Sequence, residues 1–311
     1  MMKAIQITEY GQVLTKLVER PEPAADEVLV KIVAAGVNPV DWKIASGDLA
    51  VLVNQSLPLT LGWDLAGEII ALGSEVSGFN VGESVFGMPE IGRNGTFAEY
   101  CVVKASALAV SPKTVGMTEA AAYPLVCLTS WQTLFTAGEL KAGQRVLIHA
   151  GAGGVGHVAI QLAKAKGAYV ISTTSEANRD FVAQLGADEI INYCDVDFEA
   201  VLENNKVDLV LDTLGGEAQR KSLNVLNAGG RLVSIAGITP EIESVASTLG
   251  VTAEFVFVQG NGEQLRNVAE MVDARQLSVT VAKTFSLDEV TTAFDMSKQG
   301  RVRGKLVVQI A

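Results

Sequence analysis

The chain of 311 residues is poor in the side chains on which metal and nucleophilic chemistry draw: it has two histidines, His149 and His157, and three cysteines, Cys101, Cys127 and Cys194. The cysteines are odd in number, far apart and without C-x-x-C spacing. That excludes a zinc ribbon and predicts a reduced compartment with no structural disulfide. A metal centre would need carboxylates and one scattered thiol, and a Ser-His-Asp triad has only two places to stand. Charge is scarce too: charged residues are 19% of the chain, below the roughly 25% of an average soluble protein, so much of the surface is apolar, small or pocketed. Positive charge is scarcest, with 24 Lys and Arg against 35 Asp and Glu, a net charge of −11. Such a chain repels a phosphate backbone, and no nucleic-acid partner is expected. No apolar run reaches the roughly 18 residues of a membrane span, and residues 1–8 read as a strand without the basic and apolar regions of a signal peptide. The expected location is cytoplasmic, with no membrane partner.

What is present is apolar. A hydrophobic content of 49% over 311 residues is enough for two cores, since a domain averages roughly 150 residues. Residues 1–116 alternate short apolar runs (27–35, 65–72, 83–87, 96–103) with Gly, Pro and Asn, a β-rich pattern with tight turns. Near Thr118 the texture changes to an alanine-rich helical stretch, interrupted at Pro124 and reaching Gly138. From Arg145 strand-like runs at 145–150, 168–174, 189–192, 207–211, 231–236 and 251–258 alternate mostly with helical segments, which predicts an α/β domain with a doubly wound, six-stranded parallel sheet. In the first crossover Val155, Val158, Ala159, Leu162 and Ala163 follow helical spacing, and Gly167 stands where a C-terminal cap belongs. A helix at 264–274, a strand at 277–284, a helix opened by Ser286 and a strand at 305–310 complete the chain. This tail is too short for a core of its own. It is expected to rejoin the β-rich part, giving domains of 1–120 with 275–311 and of 121–274.

The strongest local signal is Gly151-Ala152-Gly153-Gly154-Val155-Gly156, a G-x-G-x-x-G that follows an apolar strand and opens a helix. Its first glycine allows a tight turn, Gly153 lets backbone approach a pyrophosphate, and Gly156 lets the helix pack closely on the strand. The helix N-terminus then offers free N–H groups to a dinucleotide diphosphate. NAD enzymes place an acid at the end of the second strand to hold the ribose 2′-hydroxyl. Here that strand ends Ser172-Thr173-Thr174-Ser175, Glu176 lies one step beyond, and Arg179 follows. Small hydroxyl residues leave room for a 2′-phosphate and Arg179 can bind it, so NADPH is expected; Arg179 is otherwise a solvated helix charge. His149 at a buried strand end and His157 at the start of the crossover helix read as structural, and Asp208 and Asp212 as strand-end carboxylates.

Several ordered motifs resemble the zinc-lacking medium-chain dehydrogenase/reductases of the quinone oxidoreductase branch. They are Ala34-Ala35-Gly36-Val37-Asn38-Pro39-Val40-Asp41-Trp42-Lys43, Leu61-Gly62-Trp63-Asp64-Leu65-Ala66-Gly67, Val81-Gly82-Glu83-Ser84-Val85-Phe86-Gly87, the glycine turn, Val207 to Asp212, and Arg303-Gly304-Lys305-Leu306-Val307. The resemblance covers essentially the whole chain and implies a Rossmann domain inserted in a β-rich GroES-like catalytic domain. Zinc-dependent relatives have ligands where this chain has Asn38 and Trp63 and near Leu125, and their four-cysteine structural lobe is missing; no metal site is expected. The resemblance places Asn38 and Asp41 beside the nicotinamide ribose and Thr129 against the nicotinamide. It places Tyr193 with Ser175 and Arg179 in the 2′-phosphate pocket, and Arg303 and Lys305 near the cofactor. The cofactor-binding set is completed by Gly151, Ala152, Gly153, Gly154, Val155, Thr173, Thr174 and Leu214.

Oxidising an alcohol requires alkoxide stabilisation by a metal or a positioned acid. Reducing a quinone or an enone places the developing charge on a delocalised phenolate or enolate, which is less basic. Orientation and water exclusion then carry the rate, and no side-chain nucleophile is expected. The candidate catalytic-site residues are Asn38, Asp41, Lys43 and Tyr123 as hydrogen-bond or proton donors and partners, with Trp63 as an apolar wall for a planar substrate; the alternative readings are Lys43 as a supporting charge partner, Tyr123 as a packing aromatic and Trp63 as filler of the volume that zinc takes in the relatives. The expected function is therefore NADPH-dependent reduction of quinones. Two alternatives stand beside it: an alkenal or enone reductase, and a non-catalytic NADPH-binding protein of a crystallin-like or interaction type. The last strand of the nucleotide sheet is apolar and exposed at an edge, which predicts a homodimer.

Overall fold

The computed structural model describes residues 1–53 and 56–311, which form two compact units: Met1–Leu128 with Gln259–Ala311, and Thr129–Val258. In the second unit the strands are β1 (Arg145–Ile148), β2 (Tyr169–Thr174), β3 (Glu189–Asn192), β4 (Val207–Asp212), β5 (Leu226–Ser234) and β6 (Thr252–Phe255). They lie in the order β3-β2-β1-β4-β5-β6, all neighbours parallel. The winding reverses between β1 and β4, and open α/β sheets bind ligands beyond the carboxyl ends of the strands at such a point. Leu147, Ile171, Val210 and Leu232 of the sheet pack with Leu202, Leu223, Ile242 and Ala246 of the flanking helices, so this sheet is the expected doubly wound one with its apolar runs buried. The largest differences from the expected strand bounds are in β5 and β6. β5 begins earlier because the ladder jumps from Val207 opposite Leu226 to Leu209 opposite Arg231, with Gly229 at φ 75° in the irregularity. β6 is shorter, with Val251 instead buried in the core below it.

The first unit is built on the long strand Glu27–Val37, which pairs antiparallel with Leu65–Leu72, Tyr100–Lys104 and Lys305–Gln309. Val28, Val30, Ile32, Leu65, Ile69, Val85 and Val103 bury the face of this sheet. The last strand pairs with Leu306 opposite Val37. Continued by one residue, that register puts Lys305 beside Asn38, from opposite ends of the chain. The helix Gly262–Asp273 also belongs to this unit, unlike the expected 121–274 division. Its last residue, Asp273, accepts hydrogen bonds from the backbone N–H groups of Lys113 (2.8 Å) and Thr114 (2.9 Å) and from the Thr114 hydroxyl (3.0 Å), a tie that helical periodicity does not reveal. The strand expected at 277–284 is Val281–Ser286, because the Val279 N–H donates to the Tyr123 hydroxyl and not to a ladder.

Candidate active and nucleotide site

After β1 the chain turns sharply at Ala150, which is in the left-handed region at φ 52°. The left-handed residue of the turn is Ala150 and not Gly151. A Cβ on Gly151 would instead lie 2.1 Å from the Ser172 hydroxyl, so this glycine is required by close packing on β2. Gly156 is equally constrained, since its Cβ would meet the Ala150 carbonyl oxygen at 2.3 Å. Gly153 differs from both: a Cβ there would meet only that same oxygen, at 3.2 Å. Gly153 caps the helix Gly154–Ala165, whose first-turn N–H groups have no intrahelical acceptor. An open glycine at a helix N-terminus that offers free N–H donors fits the diphosphate of a dinucleotide.

The carboxyl ends of β2 and β4 stand beside this turn. Thr173 and Thr174 are buried, Ser175 is half-buried, and Arg179 is exposed with Glu176 at 4.0 Å. Tyr193 is half exposed, and its N–H donates to the Thr174 carbonyl at 3.2 Å. Thr173 departs from the cofactor-binding expectation, because its hydroxyl is turned inward to His149 Nδ1 (3.1 Å) and the Ala150 N–H (3.1 Å). Leu214 is exposed on a loop held by Asp212. One Asp212 oxygen accepts from the N–H groups of Leu214 (2.9 Å) and Gly215 (3.0 Å), the other from Gln219 Nε2 and the Ser234 hydroxyl (2.7 Å each). Asp212 is therefore a loop-holding carboxylate, as its strand-end position implied. Thr129 is buried at the start of this unit, in a helix whose last turns widen to π geometry where the Thr133 hydroxyl donates to the Thr129 carbonyl at 2.7 Å.

In the first unit the structure gathers Asn38, Asp41 and Lys305 and adds Asp64, which sequence reasoning quoted only as part of a motif. All four are buried. The Lys305 ammonium donates to the Val37 carbonyl (2.9 Å), to Asn38 Oδ1 and to Asp64 Oδ2 (3.2 Å). Asn38 Nδ2 donates to the same Asp64 oxygen at 2.8 Å, and the other Asp64 oxygen accepts from the Leu125 N–H at 2.6 Å. Both ends of the Asn38 amide are thereby engaged, and the Lys305 charge is directed inward. Asp41 caps its helix, Oδ2 accepting from the Asn38 N–H at 2.7 Å. Its Oδ1 and the Thr96 hydroxyl are, among the described residues, the buried side-chain oxygens without a hydrogen bond. Burial pushes both the Asp41 and Asp64 carboxyls above the ordinary carboxylate range, although Lys305 opposes this.

Three catalytic expectations are corrected by this packing. Lys43 is exposed, with its ammonium over the Trp42 ring, and does not join the buried cluster. Trp63 is wholly buried, its indole N–H donating to the Arg93 carbonyl at 3.2 Å, so it fills volume and presents no wall. Tyr123 is also buried, donating to Glu119 and accepting from the Val279 N–H, and burial with the nearby Glu119 charge raises its pKa. Arg303 is exposed, two residues before the buried Lys305. Among the described residues no group of three His, Cys, Asp or Glu side chains is arranged to hold a metal ion.

Two family descriptions match the chain: an alcohol dehydrogenase GroES-like domain over residues 24–113 and a zinc-binding dehydrogenase over residues 185–308. A mitochondrial NAD(P)H oxidoreductase of Danio rerio is 35% identical over 326 residues, covering 92% of this chain and 84% of the relative. The 2-methylene-furan-3-one reductase of Solanum lycopersicum is 35% identical over 323 residues, covering 99% of this chain and 79% of the relative. Among solved structures, the quinone oxidoreductase from Coxiella burnetii superposes with a TM-score of 0.93 at 36% identity, covering 100% of this chain and 99% of its own.

Proposed function

The chain belongs to the medium-chain dehydrogenase/reductase family, in its zinc-lacking quinone oxidoreductase branch, and from that premise we propose that it is an NADPH-dependent reductase of quinones. That it is an NAD(P)H-dependent oxidoreductase follows from the family; the phosphate on the cofactor and the acceptor are our reading. The carrying observation is the open face at Gly153 over a helix N-terminus, with no carboxylate on the end of β2 and with Ser175 and Arg179 just beyond it. In this reading Gly151 to Val155 bind the diphosphate, and Ser175, Arg179 and Tyr193 bind the 2′-phosphate. Thr129, Leu214 and Arg303 complete the cofactor contacts. When bound, the nicotinamide supplies the hydride. Asn38 and Asp41 keep their proposed place at the reacting end, with Asn38 held in one orientation by Lys305 and Asp64. A quinone needs little more than this, because its reduced oxygen is a weakly basic phenolate and positioning supplies the rate.

A second reading, reduction of an enone carbon-carbon double bond, is favoured by the similarity to a 2-methylene-furan-3-one reductase. Both are tested by following NADPH loss with simple quinones and with enones. Turnover with quinones supports the proposal; turnover with enones alone moves the assignment to the second reading. Tight NADPH binding without turnover across the panel overturns both in favour of a binding protein. Gly153→Val is the control variant, because its Cβ would meet one protein atom, the Ala150 carbonyl oxygen at 3.2 Å, and it is expected to abolish NADPH binding. In the same titrations Arg179→Ala should weaken NADPH by about tenfold and leave NADH unchanged. That is the low end for a charged hydrogen bond, since Arg179 is about half exposed and has Glu176 nearby. Equal wild-type affinity for the two cofactors would remove the NADPH preference.

No helix among the described residues is long and apolar enough to cross a membrane. A cytoplasmic location remains part of the proposal, tested by fractionation of cells, since the similar zebrafish protein is mitochondrial. The homodimer is likewise proposed from β6, which is the edge of its sheet and exposes Phe255. Light scattering that reads a monomer mass at micromolar concentration would remove it.

A further inference from the structure

The imidazole of His149 lies in a chain of hydrogen bonds whose direction can be deduced. The Ser222 hydroxyl is 2.7 Å from the Ala218 carbonyl, which can only accept, so the single Ser222 proton is committed there. His149 Nε2, 2.9 Å from the Ser222 oxygen, must then be the donor. In a neutral imidazole the other nitrogen is an acceptor, and His149 Nδ1 therefore receives the Thr173 hydroxyl at 3.1 Å. With its proton so placed, the Thr173 oxygen turns its lone pairs to the Ala150 N–H, also at 3.1 Å. Ala150 is the non-glycine residue in the left-handed region that opens the glycine turn. An L-residue there costs roughly 1–2 kcal/mol, so it persists only where its surroundings hold it.

The turn continues from this fixed point. The Ala150 carbonyl accepts from the Gly153 N–H at 2.9 Å, and the Thr173 carbonyl accepts from the Gly151 N–H at 3.0 Å. Phe198 packs edge-on against the His149 ring with centroids 4.8 Å apart, which limits ring rotation.

We propose that His149 is a positioning residue for nucleotide binding: through Thr173 it holds Ala150 in its left-handed conformation and so aims the N–H donors of the glycine turn. The inference rests on the reading that this turn binds the diphosphate. It gives a role to a histidine whose place at a buried strand end reads as structural, and it makes Thr173 a support behind the cofactor contacts. His149 itself touches no ligand, being buried.

Titration of NADPH into wild type, Thr173→Val and Thr173→Ser tests it, together with the ¹⁵N spectrum of the His149 ring. Thr173→Val keeps the shape of the side chain and removes the hydroxyl; its NADPH Kd should rise about tenfold, the scale of one lost hydrogen bond with an unpaired N–H behind it. Thr173→Ser restores the hydroxyl and should recover most of the affinity. In wild type at neutral pH the ring should show Nε2 protonated and Nδ1 bare, a signature that a merely space-filling histidine does not require. A protonated Nδ1, or a Thr173→Val protein that binds NADPH as tightly as wild type, overturns the proposal. Failure of wild type to bind NADPH at all would strike the diphosphate reading itself, while the tautomer measurement would still decide the direction of the relay.

Discussion

Replacing Lys305 by Met is expected to destabilise the first unit by about 3–5 kcal/mol, the usual consequence of removing one partner from a buried ion pair. The ammonium is 3% exposed and Asp64 is 0% exposed, so neither can turn to water. Met fills much of the same volume, so the loss is electrostatic. The Val37 carbonyl and Asn38 Oδ1 lose their donor, and the Asp64 charge keeps only the Asn38 and Leu125 N–H groups. Urea denaturation should show a lower midpoint with an unchanged slope. Adding Asp64→Asn to Lys305→Met removes the stranded charge while leaving an oxygen for the Leu125 N–H, and should recover part of the loss. A single variant within about 0.5 kcal/mol of wild type would show that the cluster is held by packing alone.

The second large effect is a loss of stability in acid that runs through His149. Burial lowers its pKa from 6.5 to about 4, against the opposing pull of the Asp212 charge. The folded protein thus keeps the ring neutral where the unfolded chain binds a proton. The associated stability is fully present above pH 6.5 and is lost as pH falls from 6.5 towards 4. With one pKa unit worth 1.36 kcal/mol, about 2 kcal/mol is gone at pH 5 and about 3 kcal/mol below pH 4. His149→Gln removes the titrating group, so the difference in unfolding free energy between pH 7 and pH 5 should shrink by about 2 kcal/mol relative to wild type. If wild type and variant lose stability in parallel over that range, the ring is not held neutral by the fold.

The two polar networks differ in how far they could be anticipated. The His149 relay joins the ends of β1 and β2, which periodicity identified, to Ser222 on the helix Gly216–Asn224. Its existence was legible, since polar residues at the ends of apolar strands must find partners. Its direction was not, because that depends on where the Ser222 proton goes. The buried cluster of the first unit was harder still. Lys305 and Asn38 are 267 positions apart and meet only because Leu306 is registered opposite Val37. Asp64 carried a signal within its motif, but a carboxylate beside an apolar run reads equally well as a strand-end residue.

The errors have the same origin. Trp63, Tyr123 and Lys43 lie beside Asp64, Leu125 and Asp41 along the chain, and nearness along a chain does not set the direction of a side chain. Trp63 and Tyr123 point into the core, while Lys43 points to solvent over Trp42. The unit to which the helix Gly262–Asp273 belongs is not legible for a related reason, since helical spacing shows that a face is buried but not against what.

The sequence by itself determined the doubly wound sheet, the glycine turn at the end of its first strand and the scarcity of histidine and cysteine. Those features are local: periodicity, turn chemistry and residue type are properties of short segments. Only the tertiary structure decided that Ala150, not Gly151, takes the left-handed conformation, that Thr173 faces inward, and that Lys305 balances Asp64 beside Asn38. These depend on strand register and on which buried donor meets which acceptor, and a buried polar group takes whichever partner the packed chain brings to it.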